Sequence, residues 1–276
     1  MLKQYVYKFG AMSTPCELII FESQKSRADA LAESVVLEVK RLEKKYNYYS
    51  EISFLSLINT RKENKLDQES KTLLTRAKQY YTLTHGIFDI TTATLKPLYS
   101  SEISLNDLAE KKAALLPFVG CEHFEIKRDK IVFDNAYTKI DLGGFVKEYA
   151  VDRAAQILKK KKVKSALINF GGDIYAIGKK PNGERFKVGI KDPANREKNS
   201  EYVEIENQAL TTSASYERNY RIENRQFSHI ISKEESLQIP KSVTVISPTC
   251  VESGVYSTAL MIEPELEHKN RAIIVT

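Results

Sequence analysis

The spacing of apolar residues divides the chain into a helix-rich first half and a strand-rich second half. Residues 3 to 9 and 16 to 22 (CELIIFE) carry short apolar runs that read as strands about a turn from Gly10 to Pro15. Leu31, Val35, Val39, Leu42 and Tyr46 then recur every three or four residues, which lays one apolar stripe along a helix ending near Asn47. Ser50 is placed to cap a short second helix through Leu57, and residues 69 to 84 form another helix, stopped by Gly86. A further helix, 106 to 116, starts at an Asn106 cap and ends before Pro117.

From residue 123 the period shortens. HFEIKR and KIVFD predict a hairpin about Asp129 and Lys130, and IDLGG leads into a helix from about 144 to 161. SALINF, IYAIG, FKVGI, YVEIE, FSHIIS, SVTVIS and RAIIVT are short, rich in β-branched and aromatic residues and separated by turn residues, so each reads as a strand. The stretch from Asp192 to Ser200 is the expected mobile loop. Long helices near the start and antiparallel strands later predict an α+β architecture.

Composition changes this picture little. The 276 residues are 42% hydrophobic and 28% charged, with few Gly and Pro, which excludes a disordered or collagen-like chain. The excess of 42 Lys and Arg over 36 Asp and Glu leaves a formal charge of +6. The dense basic block, Lys159 to Lys162, follows an amphipathic stretch and suits a helix C-terminus better than a nucleic-acid patch. Cys16, Cys121 and Cys250 lie far apart with no C-x-x-C pair, and His85, His123, His229 and His268 lack metal-ligand spacing. No stretch approaches the length of a membrane span, and the first residues lack an export signal. The expectation is a cytoplasmic chain, or an extracytoplasmic one whose signal has been removed.

Six clusters of small residues with polar neighbours offer backbone that a phosphate could approach closely. They are GIFDITTATL (86–95), DLGGFVKEYAVD (141–152), NFGGDIYAIG (169–178), TTSASYERNY (211–220), FSHIIS (227–232) and ESGVYSTAL (252–260). None fits the P-loop pattern, and no G-x-G-x-x-G precedes a helix. Taken in order, together with AMSTP and EKKYNYYSEISFLSLIN (43–59), the clusters resemble the FAD:protein FMN transferase family of the ApbE type. DLGGFVKEYAVDRAAQIL followed by ALINFGGDIYAIG is the most specific portion.

That resemblance implies an ApbE-like, T-fold-related architecture and a flavin transferase. Such an enzyme cleaves FAD, attaches FMN through a phosphoester to a Ser or Thr of a target protein, and releases AMP with the help of magnesium. It further implies FAD contacts from Met12, Tyr46, Ile87, Phe88, Asp89, Asp141, Lys147, Thr212, Ser213 and Ile231, a general base at His229, and magnesium ligands from the Gly144 carbonyl and Thr258. Clusters spanning residues 86 to 260 would have to converge on one ligand, so a single domain over 1–276 is expected.

The residues support several of these roles on their own chemistry and also admit plainer ones. Imidazole titrates near neutral pH, which suits His229 as a base, although a strand His can be structural. Asp89 can cap a helix starting near Thr91, Tyr46 ends an apolar stripe, and Asp173 ends a GGD turn as a structural residue. Thr212 and Ser213 can donate to phosphate or form a turn.

The chain also departs from the family pattern. Gly254 stands where the family carries an Asp four residues before the Thr, and Glu148 stands where it carries Gly. A carboxylate at 148 is expected to be tolerable near anionic FAD only if it points to solvent. Ala214 and SKEES (232–236) are further departures. A second reading follows, that of an FAD-binding paralogue with impaired or lost transfer because Gly254 removes a metal ligand.

Overall fold

Alternation along β1 (Lys3–Ala11) and β2 (Thr14–Glu22) sends Leu18 and Ile20 into the interior, and the two strands pair in register from end to end. They run further than expected because the turn between them is only Met12 and Ser13, whose φ values of 51° and 59° match the twist of a tight hairpin. In the computed structural model, residues 1–99, 103–195, 197–215, 219–223, 225–228 and 240–276 are described, except for the side chains of 219–221 and 225–228.

Helix α1 (Lys25–Tyr46) buries the predicted stripe from Leu31 to Tyr46. Two caps differ from expectation. Helix α2 (Phe54–Asn59) is capped by Ser53 rather than Ser50, since the Ser53 hydroxyl accepts the Ser56 N–H at 3.0 Å and donates to the Asn47 carbonyl at 2.6 Å. Helix α3 (Gln68–Leu83) starts from Asp67, and α4 (Leu105–Leu115) starts from Ser104, not Asn106, because the Ser104 hydroxyl reaches the Asp107 N–H. The hairpin of β3 (Phe124–Lys127) and β4 (Lys130–Phe133) and the helix α5 (Gly143–Lys160) fall where the pattern put them.

Beyond α5 come β5 (Ala166–Phe170), β6 (Asp173–Ile177), β7 (Phe186–Lys191) and β8 (Asn199–Ile205), the last of which claims the end of the expected loop. Strand β9 (Ala209–Ala214) is new, because its ALTTSA sequence reads as a polar cluster rather than a strand. Short strands β10 (Asn219–Ile222) and β11 (Arg225–Ser228) form a separate pair, followed by β12 (Ser242–Ser247), helix α6 (Cys250–Ile262) and β13 (Arg271–Val275).

Among the described residues, β1-β2-β5-β6-β9-β12-β13 form one sheet in that order, with every neighbouring pair antiparallel. This is the expected α+β, antiparallel arrangement. Helices α1, α5 and α6 lie side by side on one face of the sheet. The other face meets the β7–β8 hairpin, where Ile174, Ala176 and Leu210 pack against Phe186, Val188, Val203 and Ile205. Alternation therefore gives the central strands two apolar faces, and all five residues of β6 are buried. No helix among the described residues is long and apolar enough to cross a membrane.

Candidate active site

Three local devices bring distant segments to the ends of α5 and α6. The side chain of Asn59 bonds both backbone groups of Ile140 at 2.8 Å, and the Asp141 N–H donates to the Ile90 carbonyl at 2.9 Å. The start of α5 is thereby tied to α2 and to the short 3-10 turn Ile90–Thr94. That turn is capped by Asp89, whose Oδ1 accepts the Thr91 N–H at 2.8 Å and the Thr91 hydroxyl at 2.6 Å, as the sequence suggested. At the other end, Asp152 on α5 accepts the N–H groups of Cys250 and Val251 at 2.7 and 3.1 Å and docks the N-terminus of α6. Burial pushes the Asp152 carboxyl up to about 6 against the pull of those two N–H groups.

Gly171 allows the β5–β6 turn to approach the first hairpin. Its φ is +64°, and a Cβ there would stand 2.0 Å from the Thr14 hydroxyl. On the hairpin itself, the left-handed backbone of Met12 is held by its N–H donating to Glu43 on α1.

Between these segments lies a cavity of about 500 Å³. Every expected contact that falls among the described residues lines it. Met12 and Tyr46 come from the first hairpin and α1, while Ile87, Phe88 and Asp89 come from the segment after α3. Asp141, Gly144 and Lys147 come from the start of α5, Thr212 and Ser213 from β9, and Thr258 from α6. His229 and Ile231 lie outside the described residues. Tyr46 keeps its plainer role too, being 6% exposed with its hydroxyl 2.8 Å from that of Ser70.

The hydroxyls fall in two groups on opposite faces of β9, and members of both line the cavity. Thr212 pairs with Thr244 at 2.8 Å, and Ser213 lies 2.9 Å from Ser257 and 3.3 Å from Thr258. Thr212 meets its cross-strand neighbour on β12 while Ser213 faces α6, so a strand replaces the turn considered for Thr212 and Ser213.

Charge is concentrated at two points. Lys147 forms an ion pair with Asp173, and its Nζ is also 3.8 Å from Glu148 Oε1. Enclosure alone would lower the Lys147 ammonium, but Asp173 and then Glu148 hold it above its ordinary range. Burial, followed by the charge of Asp173, pushes Glu148 up, and burial likewise raises Asp173 against the pull of Lys147. Glu148 is 5% exposed, so the expectation that it faces solvent is wrong. Position 148 lies on the buried stripe of α5, with Phe145, Val151, Asp152 and Ala155.

At the second point Lys96 pairs with Asp141, whose Oδ1 also accepts the Gly143 N–H at 2.9 Å. The Lys96 ammonium lies 4.6 and 4.7 Å from the ring centroids of Tyr48 and Tyr49, which also line the cavity. Sequence reading missed Lys96, since nothing local to it signals Asp141, 45 positions away. Tyr48 and Tyr49 fall inside a matched segment but carry no periodic signal that would single them out.

The model of the ApbE family matches residues 12–272. The chain belongs to the ApbE family. A FAD:protein FMN transferase of Klebsiella pneumoniae is 28% identical over 192 residues, which cover 65% of this chain and 55% of that protein. The chain thus spans about half the length of this relative. A Chlamydia pneumoniae protein of the same name is 25% identical over 264 residues, covering 91% of this chain and 82% of its own length. The ApbE protein of Thermotoga maritima superposes with a TM-score of 0.84 at 27% identity, over 94% of this chain and 87% of that one. The ApbE architecture expected from the motifs is therefore the one observed.

Proposed function

We propose that this chain is a flavin transferase that takes FAD as substrate, attaches FMN to a Ser or Thr of a partner protein and releases AMP. The observation that carries this reading is the convergence of motif residues from Met12 to Thr258 on one cavity, in a family whose curated relatives bear that name.

The wall suits the substrate. The hydroxyls of Thr212, Ser213 and Thr258 offer donors to a diphosphate, beside Lys147 and Lys96, which are each paired with a carboxylate. Phe88, Tyr46 and Tyr48 offer apolar and aromatic surface to the rings. In the reaction, the acceptor hydroxyl attacks the FMN phosphorus, the phosphoanhydride P–O bond breaks, a phosphoester forms, and AMP leaves with the bridging oxygen. The hydroxyl proton needs an acceptor, and His229 is the proposed base because imidazole takes a proton near neutral pH.

Magnesium belongs to the same reading. Glu148 Oε2 is buried without a hydrogen-bond partner, and its side chain lines the cavity with Gly144 and Thr258, an oxygen-rich set that fits a hard cation. When bound, the ion would neutralise phosphate charge as the P–O bond breaks. Gly254 favours the rival reading of an FAD-binding paralogue without transfer. Incubation with FAD, magnesium and an acceptor protein separates the two. The transferase releases AMP and adds the FMN mass to a Ser or Thr, whereas the paralogue binds FAD and yields neither product. His229→Ala is expected to stop transfer while FAD stays bound, and retained turnover would refute its role as base.

A further inference from the structure

Glu148 and Gly254, two departures from the family pattern, touch each other in the fold. A Cβ built on Gly254 would stand 2.5 Å from Glu148 Cγ, 3.1 Å from Cδ and 3.3 Å from Oε1. A side chain at 254 and the observed Glu148 conformer are therefore mutually exclusive. The volume that a side chain on α6 would occupy is filled instead by a carboxylate reaching across from α5.

That carboxyl meets Asp173, with which it can share a proton, and one of its oxygens has no donor. Buried carboxylate oxygens are normally hydrogen-bonded, because an unmet acceptor loses its hydration without return. Glu148 is 5% exposed and its Oε2 has no hydrogen-bond partner. Lys147 does not fill the gap, since its ammonium is committed to Asp173 and stands 3.8 Å from the other oxygen, Oε1. One ammonium thus faces two carboxyls in an enclosed place, where the two can share a proton until a cation replaces it.

The helices place hard oxygen donors around the same point. Gly254 and Thr258 are four residues apart on α6 and share one side of it, while Gly144 sits at a non-helical bend at the start of α5 (φ −92°, ψ 22°), one turn before Glu148. The contact between Glu148 and Gly254 brings the two helices together, and Gly144, Glu148 and Thr258 all line the cavity. Among the described residues no group of three or more His, Cys, Asp or Glu is gathered for a metal. The donor set is one carboxylate with a hydroxyl and backbone oxygen, which suits a divalent cation that keeps part of its water or phosphate shell.

We propose that Glu148, reaching over the bare Cα of Gly254, supplies the carboxylate of a divalent-cation site completed by the Thr258 hydroxyl and the Gly144 carbonyl. The ligand has moved from α6 to α5, and Gly254 is what makes room for it. The inference rests on the flavin reading only for what the cation would face, the phosphates of the substrate.

Manganese(II) is the probe, with free ion measured by its paramagnetic resonance signal, in protein with and without FAD. Flavin binding is measured separately by fluorescence. Wild-type protein is expected to bind the ion, and Glu148→Gln to weaken binding by about tenfold or more. The double variant Glu148→Gly/Gly254→Asp, which exchanges one carboxylate for the other, should bind close to the wild-type affinity. It keeps the test decisive if Glu148→Gln fails to fold. Manganese binding indifferent to Glu148→Gln, absent from wild-type protein in both states, or missing from a folded double variant would overturn the proposal. If manganese binds in a Glu148-dependent way while FAD does not bind, the flavin reading fails and the cation site stands.

Discussion

The two charged ends of the cavity hold the same kind of ion pair in different surroundings. At the α5–α6 end, Lys147 meets Asp173 and Glu148, whose side chains are only 2% and 7% exposed, so two carboxyls share one ammonium out of reach of water and burial favours a proton or cation between them. At the other end, Lys96 meets Asp141 one to one, under the rings of Tyr48 and Tyr49, and Tyr49 is 77% exposed. The first end has a charge to complete, whereas the second is balanced and presents aromatic surface. A dinucleotide joined by a diphosphate needs both kinds of place, one for charge and one for a planar ring.

The contrast breaks most severely at Lys147. Lys147→Met leaves Asp173 and Glu148 without their ammonium, and a loss of about 3–5 kcal/mol in urea unfolding is expected. A loss no larger than that of removing the Lys96 ammonium would make the two ends equivalent. Next comes Gly254→Ala. In a helix interior this change ordinarily stabilises by about 0.5–1 kcal/mol, but here the added methyl meets Glu148 Cγ at 2.5 Å. Destabilisation of about 1–3 kcal/mol is expected. It should vanish in a Glu148→Gly background, so a double-mutant cycle reads the contact directly. Additive effects would mean that Glu148 does not occupy that space.

Smaller stability effects are expected at the open end. Lys96→Met should cost about 1–2 kcal/mol, less than Lys147→Met because Asp141 keeps the Gly143 N–H, while weakening FAD in a fluorescence titration. Unaltered FAD affinity would remove Lys96 from the site. Tyr49→Ala should leave the melting transition within about 0.5 kcal/mol of wild type, with its effect confined to ligand affinity. A large stability loss there would show that the exposed ring serves the fold.

How much of this was legible in the sequence depended on the range of the physics involved. The apolar stripe of α1 and the alternation of β1, β2, β5 and β12 are local periodicities, and they gave elements close to those observed. Strand β9 escaped because ALTTSA pairs through its backbone and turns hydroxyls toward α6, so its burial comes from neighbours rather than from apolar composition. Caps slipped by two or three residues where serines or asparagines crowd together, as at Ser50 against Ser53 and Asn106 against Ser104.

The site followed the same division. Residues within motifs, such as Asp141, Lys147 and Thr258, could be named from their order, and those among the described residues line one cavity. Pairings across the fold could not be read that way. Lys96 with Asp141 joins two separate segments, and so does Glu148 with Gly254. In sequence, Glu148 and Gly254 looked like two independent defects. In space, one occupies the room left by the other.

The most direct test of flavin transfer is the intact mass of an acceptor flavoprotein after incubation with this chain, FAD and magnesium. The expected result is one FMN added to a Ser or Thr, with one AMP released for each acceptor modified. Bound FAD with an unmodified acceptor and no AMP, across acceptors offering an accessible Ser or Thr, would contradict it.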